Sequence, residues 1–183
     1  KIEYNPFESI KTNVIGSQNV IDNSLRQNVE KVICIGTDKA VSPLNTYGAT
    51  KLLMEKLFVS ANNYINKEKH RTKFVAVRYG NVLGSSGSVI PKFIDMIKKG
   101  KPLSVTDPKM TRFTITMNEA LEFVLNASIT GRGSEIFIPK LKSYEMPILI
   151  EALSELCGKT EQEISGIRPG EKLHETLINH DEI

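Results

Sequence analysis

Between Thr37 and Lys51 the chain gathers five side chains able to move protons or hold them in place: Thr37, Asp38, Lys39, Tyr47 and Lys51. Tyr47 and Lys51 stand four residues apart, so on a helix they project from one face. An ammonium beside a phenol favours the phenolate, and Lys51 is therefore expected to lower the Tyr47 pKa and make it a general base at neutral pH. Thr37-Asp38-Lys39 adds a hydroxyl, a carboxylate and an amine. A Tyr-x-x-x-Lys spacing alone is common on solvated helix faces, and for that pair alone the solvated face is the favoured reading; the complete string from Thr37 to Lys51 is more specific.

These groups meet only if a strand and a helix deliver them. Lys31 to Ile35 is a short β-branched run, read as a buried parallel strand, and ligands in open parallel sheets sit at the carboxyl ends of strands. Thr37 to Asn45 reads as a loop, Pro43 arguing against continued strand. A long helix is expected from about Thr46 to Asn66, with Leu53, Leu57 and Tyr64 among its apolar positions. Lys73 to Arg78 is a second strand. Upstream, Asn5 is placed to cap a helix with Pro6 in its first turn and Glu8 near its positive end. Phe7, Ile10, Val14, Ile21 and Leu25 give that helix an apolar stripe to about Asn28. Strands alternating with helices of these lengths predict an α/β fold with a doubly wound parallel sheet.

After Tyr79 the texture changes. Gly80 to Ser88 is Gly- and Ser-rich, and Val89 to Lys99 reads as a short helix ended by Gly100. Strands are expected at Leu103–Thr106 and Glu135–Ile138. Thr116-Met117-Asn118-Glu119 has the spacing of a capping box, opening a helix to about Ala127. A last helix is expected from Met146 to Leu156, with Gly158 as its stop. The division falls near Gly80: residues 1–80 as the sheet-forming part with the proton-moving residues, 81–183 as a smaller α/β lobe.

Composition bounds the function. The chain has 183 residues, 40% apolar and 25% charged, and 24 basic against 21 acidic side chains leave a net charge of +3. That is too small for a nucleic-acid footprint or a polybasic membrane patch. Apolar runs such as Val32–Ile35 fall far short of the roughly 20 residues a spanning helix needs. The two cysteines, Cys34 and Cys157, have no metal-ligand spacing and form no framework, which fits a reducing, cytoplasmic setting. Cys34 is expected in the strand as a small hydrophobe.

The string Thr37-Asp38-Lys39-Ala40-Val41-Ser42-Pro43-Leu44-Asn45-Thr46-Tyr47-Gly48-Ala49-Thr50-Lys51 resembles the active-site segment of the extended short-chain dehydrogenase/reductase family, in the form found in UDP-N-acetylglucosamine 4,6-dehydratases. Asn13 matches a structural Asn of the family's preceding helix. Arg78-Tyr79-Gly80-Asn81-Val82 with Gly87-Ser88-Val89-Ile90-Pro91, then Thr106 to Phe113, then Arg168 to Glu175, are similar to its UDP-sugar segments. The resemblance implies a Rossmann-like sheet, NADP as cofactor held by Thr37, Tyr47, Lys51 and Tyr79, and a homo-oligomer acting on a UDP-sugar. It further implies that Tyr47 takes the proton of the sugar 4-hydroxyl and that Thr37 bonds the 4-oxygen. Lys39 would then take the C5 proton, and Asp38 would protonate the departing 6-hydroxyl.

The same resemblance makes Lys39, Asn81, Val89, Ile90, Pro91, Lys92, Phe93, Arg112, Arg168 and Glu171 candidates for substrate binding. On their own chemistry, Arg112 and Arg168 suit bidentate phosphate contacts, and a helix opening at Val89 offers N–H groups to a diphosphate. Asn81 reads equally as a turn residue of a Gly-rich loop, and His174 receives no role. Under the same resemblance, Tyr47 stands where retaining dehydratases and some 4-epimerase-like members carry Met, which favours the C5-inverting type. The alternatives are a 4-epimerase or retaining dehydratase of the family, or a non-catalytic UDP-sugar-binding fragment. No G-x-G-x-x-G is present. The resemblance puts the cofactor pyrophosphate upstream of Lys1, so the chain is expected to be the C-terminal portion of something longer, with the N-terminal half of the sheet missing.

Overall fold

The structure, a computed structural model, describes residues 2–66 and 68–182. The chain forms two compact units that alternate along the sequence. The first takes the residues up to Tyr79, then Glu119–Pro139, then the residues from Thr176; the second takes Gly80–Asn118 and Lys140–Glu175.

The first unit is α/β around an all-parallel sheet in the order β1 (Lys31–Ile35), β2 (Lys73–Val77), β6 (Ile136–Phe137). Register pairs Lys31 with Lys73 and Ile35 with Val77, so β1 and β2 end side by side. β2 is buried on both faces, as a parallel central strand must be. Phe74 and Ala76 join a cluster with Ile21, Cys34, Met54, Phe58 and Ala61, in which Phe58 and Phe74 meet edge-on at 6.0 Å. Cys34 is buried and its thiol is pushed up to about 12, chiefly by desolvation. The unit's helices are α1 (Pro6–Ser9), α2 (Gly16–Arg26), α3 (Thr46–Tyr64) and α5 (Met117–Thr130), which opens two residues before the unit's Glu119.

Two helix faces differ from expectation. α3 buries Thr50, Met54, Phe58 and Ala61, at helical spacing, and leaves Leu53 and Tyr64 exposed. Its apolar residues run round the axis, so composition alone did not select the face. Between α1 and α2 the chain makes a π-helical stretch, Ile10–Ile15, which widens the turn and breaks the 3.6 spacing of the expected stripe. Phe7 and Ile10 are exposed, Ile21 is buried, and the groups turned toward α3 are polar: Ser9 and Asn13 both reach the Thr50 hydroxyl, at 2.8 and 3.0 Å. Asn5 precedes α1 but its side chain makes no capping bond.

The second unit holds two small sheets. β5 (Thr111–Ile115) pairs in parallel with β3 (Asn81–Val82) and antiparallel with β7 (Ser143–Glu145); β4 (Leu103–Val105) pairs with β8 (Gln162–Ile164). β4 falls within the expected Leu103–Thr106, while β3, β5, β7 and β8 are too short or too polar to stand out by pattern. With α4 (Val89–Lys98) and α6 (Met146–Cys157) they enclose a core of Phe93, Leu103, Val105, Met110, Met146, Ile150 and Leu153.

Candidate active site

In the first unit, β1 ends in Gly36 and the chain turns at once into a short 3-10 segment, Asp38–Ala40. Gly36 N–H bonds the Val77 carbonyl at 2.7 Å and Asp38 N–H the Tyr79 carbonyl at 3.1 Å, which lays this turn across the carboxyl ends of β1 and β2. Asn45 caps α3, its side chain accepting from Gly48 N–H at 2.8 Å. Gly48 has to be glycine: a Cβ there would overlap the Lys39 carbonyl oxygen and come within 2.9 Å of the Pro43 side chain. That close approach seats the first turn of α3, and with it Tyr47, against the Thr37–Lys39 turn. Thr50 secures the same turn of helix by donating to the Tyr47 carbonyl at 3.0 Å. Ser9 and Asn13 press on that hydroxyl from the neighbouring helices.

Four of the five proton-moving residues form one hydrogen-bonded group. Thr37 Oγ1 donates to Asp38 Oδ1 at 3.0 Å, and Lys39 Nζ donates to the same oxygen at 2.9 Å. Asp38 has no exposed surface, while the Lys39 side chain is about one-third exposed. The other carboxylate oxygen, Asp38 Oδ2, is buried and finds no hydrogen-bond partner among the described residues. A buried acceptor left unmatched is costly and marks a place where a ligand group fits.

Tyr47 departs from the expected electrostatics. Its pKa is raised, first by burial and then by the nearby Asp38 charge, while a hydrogen bond with Thr37 pulls it down. The expected lowering by Lys51 does not appear: the Lys51 ammonium, four residues along the helix, turns to Met54 Sδ at 3.6 Å. A thioether is a weak acceptor, so this partly buried cation keeps its capacity for oxygen ligands such as ribose hydroxyls. Tyr79 follows β2, its ring edge-on to Phe123 at 6.5 Å and its pKa raised by burial.

The second unit contains a hollow of about 320 Å³. One face of the β3–β5–β7 sheet supplies part of its wall. Asn81 stands opposite Thr114 and Arg112 opposite Tyr144, and Arg112 and Thr114 are two residues apart on β5. Arg112 Nη1 is held by the carbonyls of Thr111 and Leu173 at 2.7 and 3.2 Å. Thr111 in turn bonds His174 Nδ1 at 2.9 Å, which gives that histidine a place as a strut beneath Arg112.

The opposite wall is the start of α4. Val89, Ile90 and Lys92 line the hollow, as do Arg168 and Glu171, whose carboxylate accepts the Arg168 N–H at 3.2 Å. Two expected residues fall differently. Pro91 is not among the lining residues and has no N–H to give; it fixes the first helical turn. Phe93 touches the hollow but is only 2% exposed and belongs to the core. Ser88, Ser104, Thr106, Met110 and Tyr144 also line the hollow; Ser88, Thr106 and Met110 lie inside the strings that resemble UDP-sugar segments but were not singled out, and Ser104 and Tyr144 lie outside them. Ser88 carried a signal, a serine directly before a helix, but its hydroxyl makes no capping bond and is buried without a partner among the described residues. Val89 and Ile90 follow it as the first residues of α4, where backbone N–H groups have no partner within the helix.

Comparison with known proteins agrees with this architecture. An uncharacterised membrane protein of Methanocaldococcus jannaschii is 51% identical over 99% of this chain and 56% of its own length. The UDP-N-acetylglucosamine 4,6-dehydratase (inverting) of Campylobacter jejuni is 49% identical over 98% of this chain and 53% of its own. The crystal structure of Pen from Bacillus thuringiensis superposes with a TM-score of 0.91 at 42% identity, covering 99% of this chain and 57% of that one. The chain thus spans about half the length of the curated relatives it matches. No helix among the described residues is long and apolar enough to cross a membrane. The profile of the polysaccharide biosynthesis protein family matches residues 1–183, and the chain belongs to that family.

Proposed function

We propose that the chain carries the reacting residues and UDP-sugar lobe of a nicotinamide-dependent dehydratase, one that converts UDP-N-acetylglucosamine to a UDP-4-keto-6-deoxy sugar with inversion at C5. The observation that carries this reading is the Asp38–Lys39 pair beside Tyr47. Oxidation of a hydroxyl needs only the tyrosine, and loss of water from C5 and C6 needs a further base and acid. Lys39 Nζ donates to Asp38 Oδ1 across 2.9 Å. Passing one proton along that bond from the ammonium to the carboxylate would leave an amine and a carboxylic acid side by side, the base and the acid that elimination uses.

A nicotinamide dinucleotide, NADP in our reading, would supply the hydride acceptor for C4 and the donor for C6. The Lys51 ammonium suits its ribose hydroxyls. Tyr47 would accept the 4-hydroxyl proton, with Thr37 bonded to the same oxygen; the resulting ketone acidifies the C5 proton. Lys39 would remove that proton as Asp38 protonates the departing 6-hydroxyl, so that one water leaves. Arg112, Arg168, Ser88 and the opening of α4 would bind the diphosphate, and Asn81 the sugar or its phosphates. The Campylobacter relative supports the substrate and the stereochemistry.

The test is to incubate the full-length protein with UDP-N-acetylglucosamine and NADP. The expected product has lost one water and gained a C4 ketone. Tyr47→Phe should abolish that product while changing UDP-sugar affinity by no more than a few-fold. A stable C4 epimer would move the protein to the epimerase alternative.

A further inference from the structure

Tyr47 and Lys51 belong to a longer row. Glu55 follows at the same spacing, so the three side chains lie along one face of α3, and Glu55 has no exposed surface. Its carboxylate is gripped by Arg78, itself 1% exposed, at the end of β2: Nε to Oε2 at 3.0 Å and Nη2 to Oε1 at 2.6 Å. The remaining donors of Arg78 go to residues about a hundred positions away. Nη1 bonds the Leu177 carbonyl at 2.7 Å, and Nη1 and Nη2 take the two oxygens of Glu182, each at 2.8 Å. A guanidinium has five N–H donors, and all five are matched here. Gly36 makes room for the arrangement, since a Cβ there would sit 3.3 Å from Glu55 Oε2 and 2.7 Å from the Val77 carbonyl oxygen. The cluster therefore lies directly beneath the turn that presents Thr37, Asp38 and Lys39.

We infer that Arg78 is a positioning residue: through Glu55 it fixes the rotation and height of α3, and so places Tyr47 and Lys51 against the Thr37–Lys39 turn, with Glu182 as the second arm of the clamp. The catalytic meaning of this clamp rests on the reading in the previous subsection; the placement of Tyr47 does not. A bidentate fork on each side sets orientation as well as distance. A helix released by about 1 Å at its anchor would cost a reaction on the order of 100-fold. Arg78 stands within a string that resembles a UDP-sugar segment of the family, yet every donor it has faces inward.

The test uses the full-length protein with Glu55→Gln, which keeps the shape of the side chain, and Arg78→Lys, which keeps the charge but loses the fork. Glu182→Gln, at the rim, is the variant least able to disturb folding. Each is first checked for wild-type circular dichroism. Turnover of UDP-N-acetylglucosamine should fall at least about tenfold in Glu55→Gln with KM within about twofold of wild type. Titration of Tyr47, followed by NMR of ring-labelled tyrosine and assigned through Tyr47→Phe, should move down toward the ordinary tyrosine value as the ring leaves its buried seat beside Asp38. The groups acting on the phenol are Asp38 and Thr37; Lys51, one turn along its own helix, turns to Met54. If the wild-type protein shows no turnover, the dehydratase reading fails and the Tyr47 titration alone decides the positioning. Folded Glu55→Gln and Glu182→Gln in which Tyr47 titrates as in wild type would overturn the inference.

Discussion

Asp38 and Glu55 are two carboxylates in one unit, each without exposed surface, yet one is left unfinished and the other is complete. Both Glu55 oxygens are bonded to Arg78, which spends its remaining donors on Glu182 and the Leu177 carbonyl. Asp38 concentrates two donors on one oxygen and leaves the other bare. A closed network rigidifies, and there is nothing left for a ligand to satisfy. An open one carries a standing cost that makes sense where a reacting group is to be received. In our reading the closed cluster supports the helix and the open one is where the chemistry would take place.

That contrast breaks first if activity and stability do not separate. Asp38→Asn keeps the shape of the side chain and removes the acid. Turnover is expected to fall by about 10² to 10⁴, and unfolding in urea to shift by less than about 1 kcal/mol. Lys39→Ala should match the loss of turnover while still allowing a small, stalled NADPH absorbance, because oxidation precedes the step it serves.

The converse holds for Arg78→Met, which leaves Glu55 buried without its counter-charge. Chemical denaturation should register a loss of about 3–5 kcal/mol. Should Asp38→Asn prove the more destabilising of the two, the distinction between an open and a closed network is wrong for this protein.

The smallest effect belongs to Glu182, whose carboxyl is held down to about 2 by the Arg78 hydrogen bonds, with the Asn179 N–H and the Lys56 charge contributing. A depressed acid stabilises the fold above its unfolded value and loses that contribution as pH falls through the folded one. Glu182→Gln should therefore cost at most about 1 kcal/mol at pH 7, given its partial exposure. Thermal melts should show the gap to wild type closing between about pH 4.5 and pH 2. A gap independent of pH would mean that the Glu182 charge does not contribute.

The grouping of Thr37, Asp38, Lys39 and Tyr47 was legible in the sequence because its relations are local. Tyr47 and Lys51 share a helix face by spacing, and Thr37 to Lys39 follow a β-branched strand. Arg78 was not legible, since its partners lie on α3 and in the segment after Thr176 and no periodicity links such distant positions. The direction of the Tyr47 shift was also hidden. Spacing placed Lys51 beside the phenol, but Lys51 turns to Met54 and the shift comes from burial and the Asp38 charge, which depend on how tightly Gly48 lets α3 close on the turn. Among the elements, β1, α3, β2, α4 and α6 followed from runs and stops. The π-helical stretch Ile10–Ile15 and the short strands β3, β5, β7 and β8 did not, because strands of two to five residues with polar members leave too little pattern.

The proposed elimination is tested most directly by the fate of the hydrogen at C4. UDP-N-acetylglucosamine deuterated at C4 is to be converted by the full-length protein with NADP, and the product read by NMR and mass spectrometry. A dehydratase returns that label to C6 of a 4-keto-6-deoxy sugar, with the C5 hydrogen removed by Lys39 and replaced by a solvent-derived proton on the opposite face. Label retained at C4 of an epimerised sugar, with the 6-hydroxyl intact, would contradict the account.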